Sequence, residues 1–310
     1  MTKVIIHEVG LRDGLQMEQR IVPTEQKLKW IDAILATGVD IIQVGSFVHP
    51  EKVPQMADTD RLFTELAGRR RTGALLSGLV LNEKGLERGI KCGVELFCMG
   101  VSASETHSKK NTGMSIAEAT RRIVSMAQQA AAAGKNVQVS VQSAFGCGYE
   151  GPVPQERVIG IVRAYLEAGL RKISLADTAG HATPDAVERL YEAVFTLDNS
   201  VECACHFHNT YGLGIANCYA AMKVGVQNYE SSIAGLGGCP FTKIAGGNVC
   251  TEDFVHLLAR MNLRADVDLR GLIGVATEVA DFFARDPSGV IAKTGPIPGG
   301  SARERTVVQQ

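Results

Sequence analysis

His206 and His208 stand one residue apart in the stretch CHFHNTYGLG and have the clearest capacity for chemistry in this sequence. If this stretch ends a β-strand, both side chains point to the same face, because side chains alternate along a strand. Neutral imidazole is the commonest nitrogen ligand of divalent metals in proteins. The spacing therefore suggests a metal site, although two hydrogen-bonded histidines without a metal would satisfy it equally well.

The dipeptide Arg12-Asp13, in the stretch EVGLRDGLQ, is the second candidate. Asp13 can supply an anionic oxygen to a metal, and Arg12 a fixed cation for an oxyanion. The alternative is a surface ion pair, which is what most Arg-Asp dipeptides are. A position directly after the first apolar run favours the functional interpretation. With Asp13 expected beside the two histidines, a metal site becomes the better prediction.

Cys239, in the stretch GLGGCP, is the third candidate. The glycines before it predict a mobile loop, and such a loop can close over a site and exclude water. Cys239 could then deliver or remove a proton. For the other seven cysteines, the role of a small buried hydrophobic residue is favoured.

The elements that must position these residues follow a repeated pattern. At five junctions a helical segment ends in glycine and a β-branched run follows, namely at Gly38, Gly93, Gly134, Gly169 and Gly225. Glycine just past a helix adopts the left-handed conformation that ends it, and a short apolar run is typical of a strand buried in a parallel sheet. With three further runs, the sequence predicts eight strands that begin near residues 3, 40, 73, 94, 136, 172, 202 and 227.

Alternating strands and helices predict a parallel α/β fold. Eight units in about 250 residues suit a (β/α)8 TIM barrel better than an open doubly wound sheet. In residues 153–168, helical periodicity places four apolar side chains on one face: Val158, Ile161, Val162 and Tyr165. We expect residues 1–265 to form the catalytic barrel and residues 266–310 to form a C-terminal helical extension and polar tail of the same domain.

In such a barrel, the chemistry collects at the C-terminal ends of the strands. Polar side chains crowd the predicted strand ends of this chain, beside Arg12, Asp13 and the two histidines. We expect those outside the metal site to bind substrate or take part in catalysis, and they are Gln16, Gln43, Ser46, Ser143, Asp177 and Thr178.

The composition excludes several classes of function. The formal net charge is −1, which disfavours nucleic acid as a partner. No apolar run reaches the roughly 18 residues of a membrane-spanning helix, and the N-terminus lacks the features of a signal peptide. The eight cysteines form no CxxC pair and are thinly spread, so we expect no disulfide scaffold and a cytoplasmic location.

Six motifs together resemble one known family. They are EVGLRDGLQ, SFVHPEKVPQMAD, SKKN, GCGYEG, HFHNTYG and AGLGGCPFTKIAGGNVCTED. The chain is similar to the 3-hydroxy-3-methylglutaryl-CoA lyases, which are DRE-type TIM-barrel metallolyases, from about residue 4 to residue 285. The resemblance implies a Mg²⁺ or Mn²⁺ site made by Asp13, His206, His208 and Asn248.

The resemblance also implies roles for residues around that site. Arg12 would contact the enolate oxygen, Cys239 would act as proton donor or base on its loop, and Asp177 would belong to the proton relay. Lys109 and Lys110, expected on the loop after the fourth strand, would lie near the CoA phosphates. As residues alone, these two lysines fit a solvated surface equally well.

The chain departs from the family pattern at three places. Gln43 stands where the lyases usually carry Glu, Asn209 stands where they carry Asp, and Met17-Glu18-Gln19 replaces Asn-Glu-Lys. The change at residue 43 matters most, because related condensing enzymes also carry Glu there. This change bears on which substrate the protein uses more than on which class of reaction it catalyses.

The sequence therefore predicts a metal-dependent carbon–carbon lyase that cleaves a 3-hydroxyacyl-CoA of the 3-hydroxy-3-methylglutaryl-CoA type to acetyl-CoA and a keto acid. We expect an acyl-CoA thioester substrate and a homodimer. One alternative is a Claisen-condensing acyltransferase of the isopropylmalate-synthase type, which the cysteine loop and the lack of a regulatory domain disfavour. The others are an aldolase on a CoA-free 2-oxo acid and a non-catalytic barrel that binds or assembles partners.

Overall fold

Eight parallel strands close into a barrel in this computed structural model, which describes residues 4–69, 73–238 and 247–298. Each strand pairs with its sequence neighbours, and the first pairs with the last. The predicted (β/α)8 barrel is confirmed, and every strand begins within two residues of its expected start. The strands are β1 Ile5–Glu8, β2 Ile41–Ser46, β3 Leu75–Leu79, β4 Leu96–Ser102, β5 Asn136–Gln142, β6 Lys172–Asp177, β7 Glu202–Phe207 and β8 Asn228–Ser231.

Helices surround the barrel and continue past β8. They are α1 Thr24–Ala36, α2 Thr59–Ala67, α3 Glu83–Lys91, α4 Glu105–Thr112, α5 Ile116–Ala132, α6 Gln155–Glu167, α7 Pro184–Leu197, α8 Gly214–Lys223, α9 Thr251–Arg260, α10 Leu269–Phe282 and α11 Val290–Thr294. Within the described ranges, no helix combines the length and the apolar character needed to cross a bilayer.

The five junction glycines take the backbone conformation expected of them. Their φ angles are 90°, 80°, 73°, 82° and 98° at Gly38, Gly93, Gly134, Gly169 and Gly225. A residue with a Cβ atom is strained in this left-handed region, whereas glycine enters it freely. Each glycine therefore ends a helix and turns the chain into the next strand.

The main core lies between the strands and the surrounding helices. The four apolar residues predicted on one face of α6 are all buried there: Val158, Ile161, Val162 and Tyr165. The phenol of Tyr165 donates a hydrogen bond to the carbonyl of Ser140 in β5 at 3.0 Å, which ties the helix to the sheet. The predicted helical periodicity is thus confirmed.

The interior of the barrel is unusually polar. Barrel interiors are mostly filled by branched apolar side chains, and here Ile41 and Leu96 form a small apolar cluster with Cys98. The other buried side chains of the strands include a polar set: His7, Gln43, Ser77, Gln138, Ser174 and Glu230. Buried polar groups usually need hydrogen-bond partners, and five of the six have one, the exception among the described residues being the hydroxyl of Ser174.

The helices after the barrel pack against its first helix. Trp30 of α1 meets Phe282 of α10 edge to face, with ring centroids 5.4 Å apart. The expected boundary at residue 265 falls in the connection between α9 and α10. Residues 299–310, which hold the end of the predicted polar tail, lie outside the described residues.

Candidate active site

Arg12 and Asp13 lie on a π-helical turn, Gly10–Gly14, directly after β1. Turns with this wide hydrogen-bond spacing are rare and occur frequently at functional sites. The turn packs closely on the chain after β8, because a Cβ atom on Gly14 would come within 2.5 Å of Leu236 Cβ. Glycine at this position therefore lets the turn carry both charged side chains into the barrel mouth.

Asp13, His206 and His208 converge on one point at this mouth. The Nε2 atoms of the two histidines are 3.1 Å apart. Asp13 Oδ2 lies 3.7 Å from His206 Nε2 and 4.0 Å from His208 Nε2. Both imidazoles are buried, with 6% of their surface exposed. The structure thus brings together the carboxylate and the two histidines that the sequence predicted as metal ligands.

Asn248 completes this group from the segment after the glycine loop. Its backbone pairs with that of His208 in an isolated antiparallel bridge. Its amide nitrogen donates to Asp13 Oδ2 at 2.9 Å and to the carbonyl of Leu236 at 3.0 Å. Its buried amide oxygen has no hydrogen-bond partner among the described residues. One carboxylate, two imidazole nitrogens and an unpaired amide oxygen form a donor set that fits a divalent metal.

The charges of the cluster affect one another strongly. Burial alone would raise the pKa of Asp13, but the positive charge of Arg12 and the two imidazoles outweigh it and hold that pKa well below its usual range. Burial and the neighbouring His206 lower the pKa of His208 to about 4. Asp13 is therefore ionised and His208 neutral at pH 7, which are the protonation states that metal ligands need.

Arg12 is held between two side chains. Its Nη1 donates to Asp13 Oδ1 at 2.7 Å, and its Nε donates to Gln43 Oε1. Gln43 is 1% exposed, and the amide of Gln16 contacts Asp13 Oδ1 at 3.4 Å. The structure therefore places Gln16 and Gln43, two of the predicted substrate-binding residues, within the cluster of Arg12 and Asp13.

Ser143 and Thr178 meet at the ends of β5 and β6. Thr178 Oγ1 accepts a hydrogen bond from the backbone N–H of Ser143 at 2.9 Å, and the hydroxyl of Ser102 lies 3.3 Å from that of Ser143. Ser143 has a φ angle of 55°. Such backbone strain in a non-glycine residue clusters at functional sites. The two predicted residues thus share a group of hydroxyls with Ser102, which the sequence alone did not indicate.

Asp177 is held by the backbone of its own loop. Its two carboxylate oxygens accept hydrogen bonds from the backbone N–H groups of His181 at 2.8 Å and Ala182 at 3.1 Å. Burial raises the pKa of Asp177 to about 6, against the opposing effect of these hydrogen bonds and of His206. The carboxylate shapes the loop between β6 and α7, and its role in a proton relay stays a prediction.

Three other predicted residues lie apart from the cluster of Asp13. The hydroxyl of Ser46 contacts the carbonyl of Leu79 in β3 at 3.4 Å. Lys109 and Lys110 are exposed in the last turn of α4, so the expected loop after β4 is a helix at this point. The Nζ of Lys110 lies 3.8 Å from the centroid of the Tyr149 ring, a cation–π distance.

The glycine loop is described as far as Gly238, and Cys239 lies outside the described residues. The base of the loop packs against the metal-site amide: a Cβ atom on Gly237 would come within 2.6 Å of Asn248 Nδ2. The φ angle of Gly237 is 118°, which other residues rarely adopt. Glycine at this position therefore lets the loop start beside Asn248. The catalytic role of Cys239 stays a prediction.

Sequence reasoning missed a second layer of residues beneath the cluster. Glu230 Oε2 lies 2.9 Å from His206 Nδ1, and Glu230 Oε1 accepts a hydrogen bond from Gln138 Nε2 at 2.6 Å. Nearby, His7 Nε2 lies 2.7 Å from the hydroxyl of Ser77. The signal that could have revealed them is Glu230 itself, a charged residue at an inward position of β8, because charged residues are rarely buried without a partner.

The chain is similar in sequence to a known protein family. The family model described as HMGL-like matches residues 3–279. The hydroxymethylglutaryl-CoA lyase of Bacillus subtilis is 37% identical over 283 residues, which are 91% of this chain and 94% of the relative. The 3-hydroxy-3-isohexenylglutaryl-CoA/hydroxymethylglutaryl-CoA lyase of Pseudomonas aeruginosa is 36% identical over 291 residues, 94% of this chain and 96% of the relative.

A solved structure extends the likeness to three dimensions. An HMG-CoA lyase from Acinetobacter baumannii, determined with coenzyme A and 3-methylmalate, has a TM-score of 0.89 and 33% sequence identity, and the match covers 96% of each chain. These matches confirm the resemblance drawn from the motifs. The chain belongs to the HMGL-like family of carbon–carbon lyases.

Proposed function

We propose that this protein cleaves a 3-hydroxyacyl-CoA of the 3-hydroxy-3-methylglutaryl-CoA type to acetyl-CoA and a keto acid. One observation carries the proposal. Asp13, His206 and His208 converge beside Arg12 at the mouth of a barrel whose relatives are named as lyases of this kind. The structure of the A. baumannii relative with coenzyme A supports an acyl-CoA thioester as the substrate.

We assign the divalent metal, Mg²⁺ or Mn²⁺, to Asp13, His206, His208 and Asn248. When bound, such an ion acts as a Lewis acid that polarises the hydroxyl and carbonyl oxygens of the substrate. The carboxylate and amide oxygens of Asp13 and Asn248 suit both ions. The carboxylate of Asp13, ionised at neutral pH, would be the anionic ligand.

The chain's own residues would carry the bond cleavage. A base removes the proton of the 3-hydroxyl, and the carbonyl of the keto acid forms as the bond between C2 and C3 breaks. The electron pair of that bond passes to the acyl-CoA, which becomes an enolate. Arg12 would stabilise the enolate oxygen, and Cys239 would return a proton to C2, giving acetyl-CoA. Asp177 would assist the proton transfers.

The polar residues around the mouth would bind the rest of the substrate. We propose that Gln16, Gln43, Ser143 and Thr178 contact the acyl group, and that Ser46 lines the same mouth. Lys109 and Lys110 would meet the CoA phosphates, since both ammonium groups are exposed at the end of α4 after a strand of the barrel. Their exposure suits contact with a charged ligand that stays partly in water.

The neutral Gln43 points to a modified acyl group. We propose a substrate with an additional or differently placed carboxylate, because the amide leaves more of the positive charge of Arg12 to attract a substrate anion. A bulkier 3-substituent is the competing choice, since the P. aeruginosa relative is named for an isohexenyl as well as a methyl substrate.

A panel of 3-hydroxyacyl-CoA thioesters tests the proposal. Each is incubated with the protein and Mn²⁺ or Mg²⁺, and release of acetyl-CoA is followed by mass spectrometry. The panel includes CoA-free 2-oxo acids and, for the reverse reaction, acetyl-CoA with keto acids. Acetyl-CoA release from at least one thioester supports the lyase. Turnover of only CoA-free acids, or net condensation alone, contradicts it.

We further propose a cytoplasmic homodimer. The seven cysteines in the described part of the chain form no disulfide there, which suits a reducing compartment. The dimer rests on the family resemblance alone. Light scattering after gel filtration should give twice the 33.1 kDa of the chain, and a monomer at micromolar concentration would refute it.

A further inference from the structure

Glu230 is a buried carboxylate that the proposed reaction does not use. It lies on β8 directly opposite His206 in the pairing of β7 with β8, and its side chain is 9% exposed. Removing a carboxylate from water is costly unless hydrogen bonds replace the lost hydration. Glu230 receives two such bonds, one from each side, and one of them comes from a predicted metal ligand.

The contact with His206 determines which ring nitrogen carries the proton. An ionised carboxylate only accepts hydrogen bonds, so the 2.9 Å contact between Glu230 Oε2 and His206 Nδ1 requires a proton on Nδ1. In the neutral ring, Nε2 then presents a lone pair. That nitrogen is the one that faces His208 Nε2 at 3.1 Å and Asp13 Oδ2 at 3.7 Å.

His208 has no such support among the described residues. Its buried Nδ1 lacks a hydrogen-bond partner there, so no carboxylate holds a proton on that nitrogen. The two histidines, which look equivalent in the sequence, therefore differ. His206 is oriented for a metal before any ion arrives, and His208 is free to donate its Nε2 proton to His206 and to release that contact when an ion binds.

Gln138 fixes the orientation of the Glu230 carboxylate. Its amide nitrogen donates to Glu230 Oε1 at 2.6 Å across the barrel from β5. With one oxygen held by Gln138, the other stays directed at His206. The chain Gln138, Glu230, His206 thus runs from the middle of the barrel to the metal site.

We propose that Glu230, held by Gln138, is a positioning residue that sets the tautomer and orientation of His206 for metal binding. The inference rests on the metal site of the proposed function. It assigns no contact with the substrate to either residue. Partners of this kind typically change metal affinity by 10- to 100-fold when they are replaced.

Mn²⁺ affinity, measured by electron paramagnetic resonance without substrate, tests the inference. Glu230→Gln should bind Mn²⁺ about 10- to 100-fold more weakly than wild type. The new amide is neutral, so its oxygen accepts a weaker hydrogen bond from His206 than the carboxylate does, and it keeps that oxygen on His206 only when the Gln138 amide turns its own oxygen toward the new nitrogen. In the double variant Glu230→Gln with Gln138→Glu, a carboxylate that only accepts hydrogen bonds holds the new amide nitrogen and so directs the amide oxygen at His206; this variant should recover most of the lost affinity.

Glu202→Gln is the matched control, because Glu202 lies on β7 on the same face as His206 and its replacement removes the same charge. It pairs with Lys172 at 3.2 Å at the opposite end of the barrel and should leave Mn²⁺ binding unchanged within about twofold. Affinity of Glu230→Gln equal to wild type, or a double variant no better than the single one, overturns the inference. Absence of Mn²⁺ binding by wild type would instead refute the metal site itself.

A spectroscopic measurement on the wild type tests the same inference and does not depend on whether a variant folds. Nitrogen-15 NMR of the metal-free protein distinguishes protonated from unprotonated ring nitrogens. Burial lowers the pKa of His206, but the hydrogen bond to Glu230 and the charge of Asp13 outweigh it and raise that pKa. The spectrum is therefore recorded at a pH high enough to make the ring neutral, where the inference requires a proton on Nδ1 of His206 and a lone pair on Nε2. The opposite tautomer of His206 would overturn it.

Discussion

Replacing Gln43 with glutamate places a carboxylate against Arg12 at the barrel mouth. In the structure the amide oxygen of Gln43 accepts a hydrogen bond from Arg12 Nε in an almost fully buried position. Glutamate has the same size, and its charge-assisted hydrogen bond to a guanidinium is roughly twice as strong as a neutral one. Unlike the amide, the carboxylate can also accept the proton of the substrate hydroxyl.

The size of the effect follows from these contacts. A general base contributes about 10²- to 10⁴-fold to a rate. The adjacent guanidinium stabilises the charged carboxylate and makes it a weaker base, so we expect a gain at or below the lower end of that range. Gln43→Glu should raise kcat/KM for 3-hydroxy-3-methylglutaryl-CoA by about 10- to 100-fold, or about 1.4–2.7 kcal/mol of transition-state stabilisation.

The charge of the site predicts the opposite effect for a more anionic substrate. The guanidinium of Arg12 and the carboxylates of Asp13 and Glu230 give a formal charge of −1, which a divalent ion would bring to +1. Glutamate at residue 43 would lower that value to zero. A thioester with an additional carboxylate should therefore be cleaved more slowly by Gln43→Glu than by wild type.

Steady-state kinetics on both substrates test this prediction, with Gln43→Met as the control. Methionine fills a similar volume without accepting from Arg12, so it should slow every reaction and accelerate none. If the wild type cleaves 3-hydroxy-3-methylglutaryl-CoA at an ordinary enzyme rate of about 1–10³ per second, and Gln43→Glu is no faster, the altered-substrate proposal is wrong.

Three further predictions concern the metal site, the loop and a buried carboxylate. His206→Ala should abolish turnover and weaken Mn²⁺ binding while circular dichroism stays unchanged, and full metal occupancy with normal activity would contradict the assignment. Brief treatment with iodoacetamide should label Cys239 before Cys98, whose pKa burial raises to about 12; mass mapping that finds Cys239 unlabelled while activity falls would refute the role of the loop. Burial raises the pKa of Glu252 from 4.5 to about 8, so between these pH values the folded protein holds a proton that the unfolded chain has lost. The stability of the wild type therefore falls as the pH rises through this range. Urea unfolding should therefore show that the free energy of unfolding of Glu252→Gln, relative to that of the wild type, increases by about 3 kcal/mol between about pH 6 and pH 9. A difference in unfolding free energy that is the same at both pH values would refute the raised pKa.

The fold was predictable from the sequence because its signals are local. The glycine at each helix end and the apolar run behind it lie within a few residues of one another, and all five glycines have the expected positive φ. That His206 and His208 share a face was equally predictable, since side chains alternate along β7. Asp13 could be added because the carboxyl ends of parallel strands meet at one edge.

Residues whose role depends on register between distant strands could not be found in this way. Gln138 and Glu230 are 92 residues apart in sequence, and only the closed barrel brings their side chains to 2.6 Å. Asp177 lies at a strand end as predicted, but the sequence did not indicate that both of its carboxylate oxygens accept hydrogen bonds from the backbone of its own loop. The sequence can place a residue at the mouth, but it does not give the direction of its side chain.

The most direct test of the central claim measures acetyl-CoA release by metal-stripped wild type and by Asp13→Asn, each titrated with Mn²⁺ in the presence of the best thioester of the panel. Asp13→Asn keeps the size of the side chain and removes the anionic ligand that lies 3.7 Å and 4.0 Å from the two imidazoles. We predict no product from stripped wild type, recovery of activity as Mn²⁺ is added, and no recovery in the variant. Equal activity with and without Mn²⁺, or an Asp13→Asn variant that recovers like wild type, would contradict the account.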